Sequence, residues 1–285
     1  MTLRRGRGLA VGLCLIALAA GALDCRRAAP DSRSSTPRRV VALAPNLTEI
    51  VFAVGAGESL VAVSEFSDYP PAARTLPRVG GLDVSAERVA SLAPDLVLAT
   101  PEGNGKGTVA ALAAAGVPVL AVPGDSLDAV LAGITSVGER LGRADRARAL
   151  VGELVKRRAR VRETTAHGPH PRALVLIWPD PPQAAGAGTF LDDVLTEAGG
   201  KNLAGDRPGW PILSTEWLAT QPIDDLVIPD SDATRGAYTR AFSTGPLSRG
   251  AAARAHVVRV EESVLTRPGP RVFDALERLS RELAR

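Results

Sequence analysis

The sequence predicts an α/β protein made of two Rossmann-like lobes that are joined by a single long helix. Two observations lead to this fold class. On both sides of a central segment, apolar runs of strand length alternate with helical patterns, which is typical of parallel sheets covered by helices. In the central segment, residues 144–165, apolar residues recur at three- and four-residue spacing, and arginine and glutamate fill the other face. A helix of that length spans about 33 Å, which is enough to bridge two lobes.

Residues 39–143 are predicted to form the N-terminal lobe. Its first strand is the apolar run that begins at Arg39, and a helix whose capping residue is Asn46 or Thr48 follows it. The remaining elements are strands at residues 60–63, 95–100 and 117–122, with helices at residues 85–92, 107–115 and 127–141. This alternation favours a parallel, helix-covered sheet.

The interlobe helix is assigned to residues 144–166, and helix breakers end it in the segment Ala166-His-Gly-Pro-His-Pro171. Residues 167–285 are predicted to form the C-terminal lobe, with strands at residues 173–178, 225–228 and 257–260 and helices at residues 189–198, 214–220 and 271–284. Segment 215–228 resembles segment 86–98. In both segments, a helix with glutamate in its first turn leads through a proline-containing turn into a strand.

The first 25 residues are predicted to be a secretory signal and not part of the fold. Three arginines precede an apolar run, residues 9–23, that is short for a membrane span. Cys25 follows the run at the position where a bacterial lipoprotein carries its lipidated cysteine, so a lipid anchor is predicted there. Asp24 is unusual before such a cysteine, and cleavage after Ala22 is the alternative. Residues 26–38, rich in Arg, Ser and Pro, are predicted to be a flexible tether.

Composition and motifs argue against several classes of function. The net charge is +3 and aromatic residues make up 4% of the 285 residues, and the arginines are spread along the chain, so a nucleic-acid partner is not predicted. The three histidines lack the spacing of a metal site, and residues 103–108 lack that of a phosphate-binding loop. The acidic pairs Asp192-Asp193 and Glu261-Glu262 are interpreted as exposed charge. The sequence therefore predicts a monomer that is not an enzyme and holds no metal and no cofactor.

Several motifs together resemble a known family. They include Arg39-Val-Val-Ala-Leu-Ala-Pro-Asn-Leu-Thr-Glu-Ile-Val-Phe-Ala-Val-Gly-Ala-Gly57, residues 61–71 and 87–99, and later Pro181-Pro182, residues 199–203, Trp210-Pro211 and Gly269-Pro-Arg271. On these residues, which span most of 38–284, the chain is similar to the class III periplasmic binding proteins of the cobalamin, siderophore and haem ABC importers. The run Ser67-Asp-Tyr-Pro-Pro71 favours the vitamin B12 branch.

The resemblance implies how the protein meets its partners. A glutamate on each lobe of the B12-binding proteins docks onto arginines of the membrane permease, and Glu87 and Glu216 stand at the matching positions. Two separated surface carboxylates would orient the encounter. The alternative is that each glutamate is a first-turn residue stabilised by its helix dipole. The expected partners are an ABC permease and its ATPase, and the expected location is the periplasm, with a membrane anchor at Cys25.

The resemblance also implies a ring ligand packed between aromatic side chains of both lobes. Phe66 and Trp210 match such positions and are expected to face each other across the ligand, and Trp178, Tyr69 and Arg267 complete the expected ligand set, with a weaker expectation for Asn104. At four other positions, usually aromatic in this branch, the chain has Gly81, Thr100, Gln183 and Val264. Haem binders of this family often place a tyrosine near Gly80, and none is present, which argues against haem.

We therefore expect a protein that binds cobalamin or a related corrinoid between its lobes and delivers it to the permease. A ferric siderophore is the alternative ligand. From a different class, an exported enzyme or a scaffold built on the same fold is the remaining alternative.

Overall fold

The computed structural model describes residues 36–81, 84–101 and 103–285. The predicted signal, Cys25 and tether residues 26–35 lie outside the described residues, so what the sequence predicts for them stays a prediction. Residues 36–285 belong to one compact unit. Within the described part of the chain, no helix combines the length and the apolar character needed to cross a membrane.

The first lobe contains a four-stranded sheet in the order β2-β1-β3-β4, and all neighbouring strands are parallel. Its strands are β1 (Val40–Ala42), β2 (Leu60–Val63), β3 (Leu96–Ala99) and β4 (Val119–Ala121), and its helices are α1 (Pro45–Ala53), α2 (Ala86–Ser91), α3 (Gly105–Ala114) and α4 (Leu127–Arg140). Alternate residues of β1 enter different cores, Val40 and Ala42 on one face and Val41 on the other. A strand buried on both faces must be apolar throughout, which explains its continuous run.

The second lobe has its own sheet, in the order β6-β5-β8-β9, with β7 beside β5. Its elements are β5 (Arg172–Pro179), β6 (Pro182–Ala184), α6 (Phe190–Glu197), β7 (Lys201–Asn202), α7 (Thr215–Thr220), β8 (Asp225–Asp230), α8 (Asp232–Ser243), β9 (His256–Glu261), α9 (Glu262–Leu265) and α10 (Val272–Leu283). Only β6 pairs antiparallel; the other described pairs are parallel.

Helix α5 (Ala144–Thr165) lies between the two sheets in the chain and packs against α4 and α10. One hydrophobic core continues through this region, since it contains Ile134 of α4, Leu154 of α5, Leu191 of α6 and Leu276 of α10. Among the described residues no strand of one sheet pairs with the other sheet. The predicted fold class, two α/β lobes joined by one long helix, is confirmed.

Two local expectations were wrong. Helix α1 begins at Pro45 after Ala44, without a side-chain cap, and neither Asn46 nor Thr48 caps it. Both side chains are used elsewhere, since Asn46 donates to the Pro268 carbonyl and the Thr48 hydroxyl bonds Ser67. The sequence pattern also missed helix α8. It buries only Thr234, Tyr238 and Ala241, a stripe too narrow to produce a clear amphipathic signal.

Candidate ligand-binding cleft

The loops that follow the strands of both sheets converge on one cleft. In the first lobe, Thr100 follows β3 and Asp125 comes shortly after β4; in the second lobe, Ser231 follows β8 and Glu262 follows β9. All four line cavities between the lobes. The cleft therefore lies at the carboxyl ends of the strands, where open parallel sheets bind their ligands.

The first cavity, here called the aromatic cavity, has a volume of about 320 Å³. Its aromatic wall belongs to the second lobe, where the rings of Phe190 and Trp210 meet edge to face with centroids 6.2 Å apart. Phe190 is buried, whereas Trp210 is 40% exposed. The first lobe contributes polar residues to the lining, namely Asn46, Thr100 and Asp125. The cavity thus combines an apolar wall with hydrogen-bonding groups, as small-molecule sites do.

The second cavity, here called the acidic cavity, has a volume of about 530 Å³ and is also lined by both lobes. Its lining contains Phe66, the guanidinium of Arg267 and five carboxylates, those of Glu65, Asp68, Asp230, Glu261 and Glu262. Burial would raise the pKa of Asp68, but the hydrogen bond and charge of Arg267 lower it below its ordinary value. The cavity therefore has an excess of negative charge.

Phe66 and Trp210 line different cavities of the cleft, Phe66 the acidic cavity and Trp210 the aromatic cavity. The backbone of the second lobe passes between the two cavities. Its neighbouring residues Arg267 and Pro268 line the acidic and the aromatic cavity, respectively. A ligand in contact with both aromatic residues would therefore have to extend over this segment.

The other predicted ligand residues are distributed differently. Tyr69 lines a third, smaller cavity, and its ring lies 4.0 Å from the guanidinium carbon of Arg271. Trp178 is exposed and donates its indole N–H to the Asp180 carbonyl. It lines none of these three cavities. Asn104 is buried with its amide bonded to Leu43 and Thr100. Arg267 lines the cleft, but its guanidinium already donates to protein acceptors.

Sequence reasoning missed Phe190 and Asn46. Phe190 lies in the first turn of α6, where an aromatic residue is usually part of the hydrophobic core. Asn46 has the residue type and position of a helix cap, which hides its place in the cleft. The interpretation of Asp192-Asp193 as exposed charge was wrong, because both residues are half-buried and hydrogen-bonded: Asp192 accepts from Asn202, and Asp193 accepts from the Leu127 backbone N–H. Within the described residues, no group of three or more His, Cys, Asp or Glu side chains could hold a metal ion.

Glu87 and Glu216 occupy equivalent places in the two lobes. Each is exposed in the first turn of a short helix, α2 or α7, whose N-cap serine, Ser85 or Ser214, accepts a backbone N–H. The Ser85 hydroxyl donates to Glu87 at 2.8 Å, and this bond together with the local backbone lowers the pKa of Glu87. Each helix precedes a central parallel strand and runs back toward the amino end of its sheet. Both glutamates therefore lie toward the carboxyl edge, on the side of the cleft.

Comparison with known proteins gives consistent matches. The family model described as periplasmic binding protein matches residues 40–253. The vitamin B12-binding protein of Pectobacterium atrosepticum is 30% identical over 257 residues, 87% of this chain and 89% of that protein. The apo periplasmic heme-binding protein from Roseiflexus has a TM-score of 0.78 at 30% identity, covering 87% of this chain and 98% of the other. The periplasmic vitamin B12 binding protein of Vibrio cholerae has a TM-score of 0.77 at 27% identity, covering 87% and 97%.

Proposed function

The chain belongs to the periplasmic binding protein family, and within that family we propose that it captures a corrinoid, cobalamin or a close relative, in the cleft between its lobes. The loaded protein then docks on an ABC permease whose ATPase drives uptake. The observation that carries the proposal is the aromatic cavity, which is lined by Trp210 and Phe190 of the second lobe and by polar residues of the first. A corrin has the matching chemistry, because it combines a large apolar ring with amide side arms.

The charge of the cleft supports a corrinoid over haem. Haem has two carboxylates at its edge, and the acidic cavity would place several carboxylates near them. Like charges in a partly dehydrated cleft repel strongly. The amide arms of a corrin are neutral and donate hydrogen bonds, so a carboxylate-lined wall accepts them without that penalty.

A positively charged ferric hydroxamate siderophore is the second candidate ligand. The same acidic cavity favours it, since the carboxylates would attract a cationic complex. Anionic ferric catecholates are disfavoured on the same ground. The aromatic wall discriminates between the two candidates, because a hydroxamate complex offers no extended flat ring to Trp210.

Glu87 and Glu216 are proposed to dock the protein on its permease. Their exposure and their equivalent places at the carboxyl edges of the two sheets support this role. An ion pair with a permease arginine requires an ionised carboxylate, and the Ser85 hydrogen bond lowers the pKa of Glu87, which favours that form. We also propose that lipidation of Cys25 holds the protein at the membrane, on the strength of its position after the apolar run.

Titration of the purified protein tests the ligand. Isothermal calorimetry would compare cobalamin, cobinamide, haemin, a cationic ferric hydroxamate and an anionic ferric catecholate at one pH and ionic strength. We expect the two corrinoids to bind most tightly. Tight binding of haemin with no corrinoid binding would overturn the proposal, and tight binding of the cationic hydroxamate alone would establish the second candidate.

A further inference from the structure

A segment of the second lobe reaches across the cleft and contacts the first lobe. It is the stretch Thr266–Arg271, which connects α9 to α10. The Asn46 amide of α1 donates to the Pro268 carbonyl at 3.2 Å. The backbones also approach closely here, since a Cβ added at Gly269 would lie 3.5 Å from the Cβ of Asn46.

The charged centre of this contact is Glu49 of α1, which is 3% exposed. Arg271 donates to both of its oxygens, from Nε to Oε2 at 2.9 Å and from Nη2 to Oε1 at 2.6 Å. Arg267 adds a bond from Nη1 to Oε1 at 3.1 Å. A carboxylate of the first lobe is thus held by two arginines of the second, one of them through a bidentate pair, the strongest geometry for such ions.

The same arginines hold the loop that carries Phe66. Arg267 donates to the Asp68 carboxylate at 2.6 Å and to the Phe66 carbonyl at 3.2 Å, and Arg271 lies against the Tyr69 ring. This network connects the lobe-to-lobe contact with the wall of the acidic cavity. Because Arg267 and Pro268 line different cavities, it also crosses the cleft between them.

We propose that Glu49, Asp68, Arg267 and Arg271 form a latch that sets the separation of the two lobes and holds Phe66 at the edge of the cleft. Ligand entry and release then require the latch to loosen. The proposal rests on the proposed function for the identity of the ligand, but its consequence for lobe separation does not depend on any ligand.

The test variant is Arg267→Gln, which removes the bonds to Glu49, Asp68 and the Phe66 carbonyl. Glu49 keeps both bonds from Arg271, and Asp68 is half-exposed, so the variant leaves no buried charge without a partner. The matched control is Arg172→Gln, since Arg172 pairs with Asp224 inside the second lobe and neither residue lines the aromatic or the acidic cavity. Thermal unfolding of both variants checks that they fold.

Lobe separation is measured between spin labels on exposed alanines, Ala114→Cys in the first lobe and Ala253→Cys in the second. The full chain carries Cys14→Ser and Cys25→Ser, so that its two native cysteines take no label. Without ligand, we expect Arg267→Gln to shift the distance distribution to longer values and the control to leave it unchanged. Association and dissociation rates of cobinamide should both rise about tenfold, which corresponds to 1.4 kcal/mol of barrier.

A second variant, Asp68→Asn, weakens the bond between Asp68 and Arg267 and leaves the bonds of Glu49 in place. It should also lengthen the distance between the spin labels, but by less than Arg267→Gln does. Unchanged distances in both variants would overturn the latch. A longer distance in a protein that binds no corrinoid would support the latch and overturn only the corrinoid ligand.

Discussion

Replacing Trp210 with alanine should weaken ligand binding by an amount that the structure allows one to work out. A tryptophan offers up to about 250 Å² of contact area, and Trp210 is 40% exposed at the aromatic cavity. At most about 100 Å² of its surface is therefore free, worth ~2.5 kcal/mol at ~25 cal/mol per Å² if a ligand covered all of it. Because only part of that surface lines the cavity, we expect a loss of about 1–2 kcal/mol, or roughly five- to thirtyfold in Kd.

Calorimetric titration of cobinamide against wild type and Trp210→Ala measures this loss. Trp178→Ala is the matched control, because Trp178 is 41% exposed but lines neither the aromatic nor the acidic cavity. The two variants remove the same side chain at nearly the same exposure, one inside the aromatic cavity and one outside both cavities. A nonspecific effect of losing a surface tryptophan would therefore affect both equally.

Either of two results would contradict the predicted role of Trp210. If Trp210→Ala binds every corrinoid as wild type does, the aromatic cavity is not where the ring lies. If Trp178→Ala loses as much affinity as Trp210→Ala, the ligand wall extends over β5 and β6, outside the two cavities.

Four further predictions concern permease docking, membrane anchoring, folding stability and ligand selection. Glu87→Ala combined with Glu216→Ala should abolish uptake in cells, while calorimetry should give an unchanged corrinoid affinity. The control is the double variant Glu153→Ala and Glu163→Ala, which removes two other exposed glutamates. A loss of corrinoid affinity in the Glu87 and Glu216 variant that equals the loss in Trp210→Ala would contradict the docking role. Cys25→Ser should move the protein from the membrane to the soluble fraction, whereas a mature N-terminus at Leu23 in wild type would contradict lipidation. Asp193→Ala should lower the free energy of unfolding by about 1–3 kcal/mol, because the Leu127 N–H loses its acceptor, whereas Asp193→Asn keeps one. Burial raises the pKa of Asp193, so the contribution of Asp193 to stability falls as the pH rises above about 3.9, the pKa of an aspartate in the unfolded chain; the free energy of unfolding of wild type relative to Asp193→Asn, measured by denaturation at pH 4 and 7, should therefore decrease. Glu261→Gln with Glu262→Gln should raise the affinity for haemin relative to cobinamide by roughly tenfold, since each of these two cavity carboxylates contributes up to ~1 kcal/mol; an unchanged ratio in competition titrations would show that the acidic cavity does not select the ligand.

The backbone architecture was predictable because burial constrains composition. Strands β1 and β3 place alternate residues in cores on opposite faces, so neither tolerates a polar residue, and the apolar runs are visible in the sequence. The repeated positions of the buried residues of α5 reveal its length in the same way. Helix α8 was not predicted, because most of its surface faces solvent and few of its residues are buried.

The site was less predictable because its contacts join distant parts of the chain. Glu49 lies 218 residues from Arg267 and 222 from Arg271. No local pattern indicates which of the many arginines will meet it. Phe66 and Trp210 were identified, but their division between two cavities depends on the path of the segment after α9, which no periodicity reveals.

The positions where the resemblance leads one to expect further aromatic residues have acquired other roles. A Cβ at Gly81 would lie 3.0 Å from the Phe66 ring, so a larger residue at this position would crowd that ring. The Gln183 amide donates to the Trp210 carbonyl at 3.2 Å. Stacking area is lost at both positions, so a ring ligand in this cleft would depend on fewer aromatic contacts, that of Trp210 among them. Removing Trp210 should therefore cost a larger share of the binding free energy here than in a cleft with aromatic residues at all of these positions.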